Sequence, residues 1–171
     1  MKLLGAILAG GQARRFGSDK AHARIGGERL IDIVARTLGA QCDGLVVCGR
    51  DETGFECIPD SPNPGLGPLG GLSAALQHAE QAGFDAVLSC GCDVPNLPSD
   101  LALQLGRKAA AFVDTQPVIG LWPVGLAPIC RTFLGDGGRA LYAFAERVGA
   151  VGVQVEPGLR NINRPGDLPD Q

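Results

Sequence analysis

Between positions 10 and 20 the chain reads Gly10-Gly11-Gln12-Ala13-Arg14-Arg15-Phe16-Gly17-Ser18-Asp19-Lys20. Paired glycines followed by arginines and a lysine are the parts needed to hold a polyphosphate. Glycine lets the backbone approach an anion closely, and N–H groups in such a turn point at phosphate oxygens. Arg15 can fork onto two of those oxygens, while Lys20 supplies a movable point charge. A Walker-type loop needs Ser or Thr after its lysine, where Ala21 stands, and no G-x-G-x-x-G begins at Gly10. The segment is a third kind of phosphate loop, or else a glycine turn carrying solvated basic residues.

A lone carboxylate closes another apolar run, in Cys90-Gly91-Cys92-Asp93-Val94-Pro95-Asn96-Leu97-Pro98. Mg²⁺ uses few protein oxygens and completes its shell with water and substrate phosphates, so one well-held carboxylate suffices. Asp93 is the candidate ligand; the alternative is a turn residue or a structural partner of Lys20. Residues 59–71 form a long segment with four prolines that opens into a helix. The small residues Gly67, Gly70 and Gly71 leave room for a base or ribose against backbone, or simply form a Pro/Gly turn with Pro68 near the first helical position. Asn161 and Asn163 would point the same way if extended, and an amide oxygen can complete a Mg²⁺ shell. Asn, Pro, Gly and Asp in that tail also suit an ordinary turn. Cys90 and Cys92 lack C-x-x-C spacing and read as packing residues on one strand face. His22 and His78 belong to no triad or zinc motif and read as surface or packing residues.

These segments need a scaffold to bring them together. Apolar runs at 3–8, 44–48, 86–90, 111–113, 118–122 and 151–155 predict strands. Helical periodicity predicts helices over 28–38, 70–81 and 138–148, and Ser99 reads as the N-cap of another helix starting at Asp100. Strands alternating with helices indicate a three-layer α/β/α domain over residues 1–171, Rossmann-like, with a mostly parallel sheet. Ligands of such sheets bind beyond the carboxyl ends of the strands, which puts the loops at 9–20, 59–71 and 91–98 on one rim.

Composition narrows the partners. A chain of 171 residues with 45% hydrophobic and 19% charged residues is globular, and a net charge of −3 argues against a broad nucleic-acid or anionic-membrane surface. No apolar stretch is long enough to cross a bilayer, and Met1-Lys2 leads directly into the first strand, leaving no room for a signal peptide. The expected location is the cytoplasm, where the six cysteines stay reduced.

Taken together, these motifs resemble the molybdenum cofactor guanylyltransferases (MobA type), within the nucleotidyltransferases built on a Rossmann-like sheet. The segments that carry the resemblance run in family order. They are Leu8-Ala9-Gly10-Gly11 with Arg15, Gly17, Asp19 and Lys20; Gly67-Pro68-Leu69-Gly70-Gly71-Leu72; Cys92-Asp93-Val94-Pro95 with Pro98; Gln116-Pro117-Val118-Ile119-Gly120-Leu121-Trp122-Pro123; and Asn161-Ile162-Asn163 before Pro165, Asp167 and Leu168. The resemblance implies Mg²⁺-dependent transfer of GMP from GTP to the terminal phosphate of molybdopterin, releasing pyrophosphate. It implies nucleotide contacts at Leu8, Ala9, Gly10 and Asp60, phosphate contact at Lys20, and both phosphate and Mg²⁺ at Asp93. With Gly11, Gly67, Gly70, Gly71, Asn161 and Asn163 from the residue reading, these make up the expected substrate site. Arg15, Lys20 and Asp93 are its expected catalytic groups. A molybdoenzyme or cofactor chaperone would receive the product. Two positions depart from the family pattern: Cys48 stands where an asparagine is usual, and Arg164 where a threonine is usual. Both bear on the choice of base and acceptor rather than on the transfer chemistry. The alternatives are CTP or a sugar-phosphate acceptor in the same reaction, a non-catalytic nucleotide-binding module, and a thiol-redox domain using Cys90 and Cys92.

Overall fold

The first strand, β1 (Leu3–Leu8), is buried at every residue, and its side chains alternate between two layers. Leu3 and Ile7 pack on one side of the sheet, while Leu4, Ala6 and Leu8 pack on the other. This period of two is what a strand covered on both faces requires. The structure, a computed structural model, describes residues 1–11 and 19–169.

A short hairpin, β2 (Arg24–Ile25) and β3 (Glu28–Arg29), leads into α1 (Leu30–Gly39). Next come β4 (Gly44–Cys48), β5 (Cys57–Ile58), α2 (Gly67–Ala82), β6 (Ala86–Gly91), α3 (Leu101–Gln104) and β7 (Ala111–Val113). The chain ends with β8 (Gln116–Pro123), α4 (Ala127–Gly135), α5 (Leu141–Arg147) and β9 (Val151–Val153). The sheet has seven strands in the order β5-β4-β1-β6-β8-β7-β9. β5, β4, β1 and β6 run parallel, and β8 is antiparallel to both its neighbours. Only two residues, Asp114 and Thr115, separate the paired Val113 and Gln116. A link that short forces a hairpin, because a parallel crossover needs a dozen residues or more.

Two apolar cores sandwich the sheet. Ile31, Val34 and Leu38 of α1 and Leu101 of α3 pack on one face. Leu69, Leu72, Leu76 and Ala79 of α2, Cys130 of α4 and Phe144 of α5 pack on the other, around the fully buried Trp122. The Trp122 indole N–H donates to Ser89 Oγ at 2.9 Å, which satisfies the polar handle of the largest core side chain. This is the three-layer, mostly parallel architecture expected from the sequence.

Several boundaries differ. Glu28 and Arg29 form β3 instead of opening α1, because Gly26 and Gly27 both take positive φ (57° and 82°) and close a two-residue hairpin. Helix α2 begins at Gly67, earlier than residue 70, since proline at position 68 is tolerated in a first turn. Asp100, not Ser99, is the N-cap of α3, without a side-chain capping bond. Helix α4 has no counterpart in the sequence reading: Pro128 and the glycines around it mask a short apolar stripe of Cys130 and Leu134.

Candidate functional site

From β1 the chain crosses to β4 on one side and returns to β6 on the other. The carboxyl ends of β1 and β6 therefore meet at a switch point, with Leu8 paired to Gly91. A cleft of about 270 Å³ opens there, lined by Leu8, Ala9, Gly11, Lys20, Asp93 and Arg50 among others.

Lys20 sits in a three-residue 3₁₀ turn, Lys20–His22, capped by Asp19, whose Oδ1 accepts from the Ala21 N–H at 3.2 Å. Its ammonium donates to Asp93 Oδ2 at 3.0 Å and to Asn163 Oδ1 at 3.0 Å. Asn161 Nδ2 donates to the same Asp93 oxygen at 3.4 Å. Residues far apart in sequence thus converge on one carboxylate. The tail is held in place by backbone as well: the Ile162 N–H donates to the Asp93 carbonyl at 2.8 Å, and Ile162 is buried against Leu30. Asp167 Oδ2 accepts from the N–H groups of both Asn163 and Arg164 at 2.9 Å, which fixes the approach of Asn163.

Asp93 lies two residues past the end of β6, and its side chain is 17% exposed, so it is held without being sealed from water. A Cβ at position 91 would lie 2.6 Å from Asp93 Oδ1, so Gly91 leaves a cradle for that oxygen. Among the described residues no three His, Cys, Asp or Glu side chains gather as an all-protein metal cage. A single carboxylate with an amide beside it fits a hard cation that shares its shell with phosphate oxygens. Asp93 is the residue that would hold it.

Asp60 lies behind the cleft, buried, with Oδ1 lacking a partner. Burial pushes its carboxyl above the usual carboxylate range. Glycine is required around it: a Cβ at Gly49, where φ is +85°, would fall 2.6 Å from Asp60 Oδ1 and 2.6 Å from the Gly10 Cα. Gly70 and Gly71 are buried too, and their missing side chains make room for Leu66 and for Leu8, Cys48 and Asp60. Gly67 is half-buried at the start of α2, and Gly10 and Gly11 are exposed at the end of β1. Arg15 lies outside the described residues.

Sequence reading passed over Arg50 and Glu52. Arg50 lines the cleft and forks onto both oxygens of Asp19, with Nη1–Oδ1 at 2.8 Å. Glu52 is buried and takes Arg29 at 2.7 Å and His22 at 2.9 Å, with Arg50 at 3.3 Å. The available signal was position: both follow β4, the strand beside β1, on the rim already singled out. His22 is exposed, as expected, and its ring also hydrogen-bonds the Glu52 carboxylate.

Burial raises the Cys48 thiol to about 12, the Cys92 thiol to about 11, and the Cys90 thiol well above its ordinary value. Thiols this reluctant to ionise are poor nucleophiles, which speaks against redox chemistry at Cys90 and Cys92. In the native protein at pH 8, iodoacetamide is expected to leave both unmodified over an hour, as read by intact mass and peptide mapping, with full labelling after denaturation. Rapid native labelling of either would reinstate the thiol reading.

The family described as MobA-like NTP transferase domain matches residues 5–150. A molybdenum cofactor guanylyltransferase of Cereibacter sphaeroides is 37% identical over 184 aligned residues, covering 98% of this chain and 94% of the relative. One from Rhodobacter capsulatus is 32% identical, covering 98% and 94%. Among solved structures, molybdopterin-guanine dinucleotide biosynthesis protein A from Archaeoglobus fulgidus superposes with a TM-score of 0.77 at 24% identity, covering 96% of this chain and 94% of that one. The site at the β1–β6 switch point and the near-complete overlap with these relatives lead to one conclusion: the chain belongs to the MobA-like NTP transferase family and is a nucleotidyltransferase.

Proposed function

We propose that the protein is a molybdenum cofactor guanylyltransferase, moving GMP from GTP to the terminal phosphate of molybdopterin and releasing pyrophosphate. The observation that carries this reading is the convergence of Lys20, Asp93 and Asn163 at the carboxyl ends of β1 and β6, in a chain 37% identical to a protein of that name.

A phosphate monoester has its second pKa near 6, so the acceptor is largely a dianion at pH 7 and attacks without a general base. The barrier lies in bringing two anions together and in the charge that develops on the departing pyrophosphate. Positioning and electrostatic stabilisation lower such barriers. Lys20 leaves Asp93 and Asn163 to meet the phosphates, and Arg15 adds a second cation from the same loop. Asp93, with Asn161 and Asn163 beside it, would hold Mg²⁺. The ion, when bound, neutralises phosphate charge. Leu8, Ala9, Gly10, Gly11 and Gly67 offer backbone to the nucleotide, with Gly70 and Gly71 thinning the wall behind it.

Asp60 supplies a buried acceptor to the nucleotide. Its folded-state pKa lies above the unfolded value, so its ionisation costs stability, a cost absent below the ordinary carboxylate pKa of 3.8 and growing as pH rises through the folded value. Asp60→Asn is therefore expected to unfold at a higher temperature than the parent at pH 7, with the advantage gone below about pH 4. The same variant is expected to raise KM for GTP by about tenfold, the size of one charge-assisted hydrogen bond. Lower thermal stability at pH 7 with unchanged KM would contradict both roles.

The decisive experiment incubates the protein with Mg²⁺, molybdopterin and each nucleoside triphosphate in turn, measures pyrophosphate release and identifies the product by mass. Guanine dinucleotide formed from GTP supports the reading. A cytosine product, transfer to a sugar phosphate, or nucleotide binding without turnover each replaces it. Delivery to a molybdoenzyme or chaperone in the cytoplasm completes the proposed role.

A further inference from the structure

Arg50 lines the same cleft, and its hydrogen bonds lead to the turn that carries Lys20. Its guanidinium forks onto both carboxylate oxygens of Asp19. Asp19 in turn caps the turn that contains Lys20: its Oδ1 accepts from the Ala21 N–H at 3.2 Å and its carbonyl from the His22 N–H at 3.1 Å. Arg50 is itself held from behind. Its Nη2 lies 3.3 Å from Glu52, whose side chain is 3% exposed and is also gripped by Arg29 and His22. Arg29 is clamped by Asp32 in the first turn of α1. The chain of contacts runs from the α1 entry through Glu52 and Arg50 to Asp19 and stops one residue short of Lys20. A turn of three residues has little stability of its own, so its geometry must come from such outside contacts.

We propose that Arg50, backed by Glu52, is a positioning residue for the transfer reaction: it locks Asp19 so that the Lys20 ammonium is presented at Asp93. The proposal rests on the reading of Lys20 as a phosphate-binding group. Arginine is specified here because its planar fork matches both oxygens of a carboxylate, which a lysine cannot do. The role is indirect, so its signature is dependence on Lys20.

The test compares Arg50→Met, Arg50→Lys and Asp19→Asn in the full chain. Each is assayed by GTP-dependent pyrophosphate release with molybdopterin, by thermal melting, and by NMR hydrogen exchange at the Ala21, His22 and Ala23 amides. Arg50→Met and Asp19→Asn are expected to lower kcat/KM for GTP by about 10²-fold, the cost of displacing a positioned group by roughly 1 Å, while the core stays folded. Their effects are expected not to add in the double variant, and Arg50→Lys is expected to recover only part of the loss. Exchange at the three amides is expected to accelerate in both variants. In a Lys20→Met background, Arg50→Met should cost nothing further in kcat/KM. A full additional loss in that background means that Arg50 acts on substrate directly and overturns the proposal. Unchanged amide exchange overturns it as well, whatever the activity. Failure of the parent protein to turn over GTP defeats the functional reading alone; the exchange data then still support or overturn the locking of the turn.

Discussion

Asp93→Ala is expected to lose about 10²–10³ in kcat, the usual cost of removing one preorganised electrostatic contact. The effect should appear chiefly in kcat, because the carboxylate matters most when charge moves toward the leaving oxygens. Folding should be little affected. The Asp93 side chain is 17% exposed and its Lys20 partner 22%, and the ammonium left behind keeps Asn163 and the open cleft, so the cost stays below that of breaking a sealed pair. The backbone contact that holds the tail, from the Ile162 N–H to the Asp93 carbonyl, is kept by any residue at position 93. Circular dichroism and a melting curve establish folding, and a steady-state assay over a Mg²⁺ titration reads the loss. A folded Asp93→Ala protein that transfers GMP at near-parent rates would remove Asp93 from the metal site.

Lys20→Ala is expected to cost a similar factor, about 10²–10³ in kcat/KM, for a different reason. Its ammonium bridges Asp93 and Asn163 at 3.0 Å each, so it is poised where phosphate charge must be met. Removing it would take a cation from the proposed leaving group and, among the described residues, leave the Asp93 carboxylate with the Asn161 amide at 3.4 Å. Lys20→Arg keeps the charge but imposes a planar fork on a site shaped for a compact ammonium, and it should recover only part of the activity. Measuring kcat and KM separately for GTP in both variants gives the check. Parent-like kcat/KM in a folded Lys20→Ala protein would show that Lys20 is a structural partner of Asp93 and nothing more.

Much of the layering was legible in the sequence because burial on both faces writes itself as unbroken apolar runs. The runs at β1, β4 and β6 are of that kind, and they position the cleft. The helical spacing of Leu30, Ile33, Val34 and Leu38 announced α1, although the buried stripe takes Ile31 and leaves Ile33 half-buried. The hairpin at Gly26-Gly27 was less visible, since Glu28 and Arg29 also extend the helical pattern and only the two positive φ values exclude it. Helix α4 was hidden because Pro128 and the glycines at 125 and 135 read as punctuation. Lys20 and Asp93 were legible as charges in glycine- or proline-bearing segments that follow apolar runs. Their pairing followed from placing both loops on one rim; the part of Asn163 in it was not legible, because a contact across 143 residues depends on how the tail packs rather than on local pattern. Arg50 and Glu52 were missed for a related reason: a charge after a strand looks solvated until the partners that bury it are known.

The tail has a consequence for how the enzyme comes into being. Lys20 and Asn163 are separated by 143 positions, yet they share one hydrogen bond at the cleft. During translation the nascent polypeptide can assemble β1, β4 and β6 long before residues 161–163 leave the ribosome. A chain stopped before residue 161 would keep the strands that place Lys20 and Asp93 but lack the two asparagines that hydrogen-bond them.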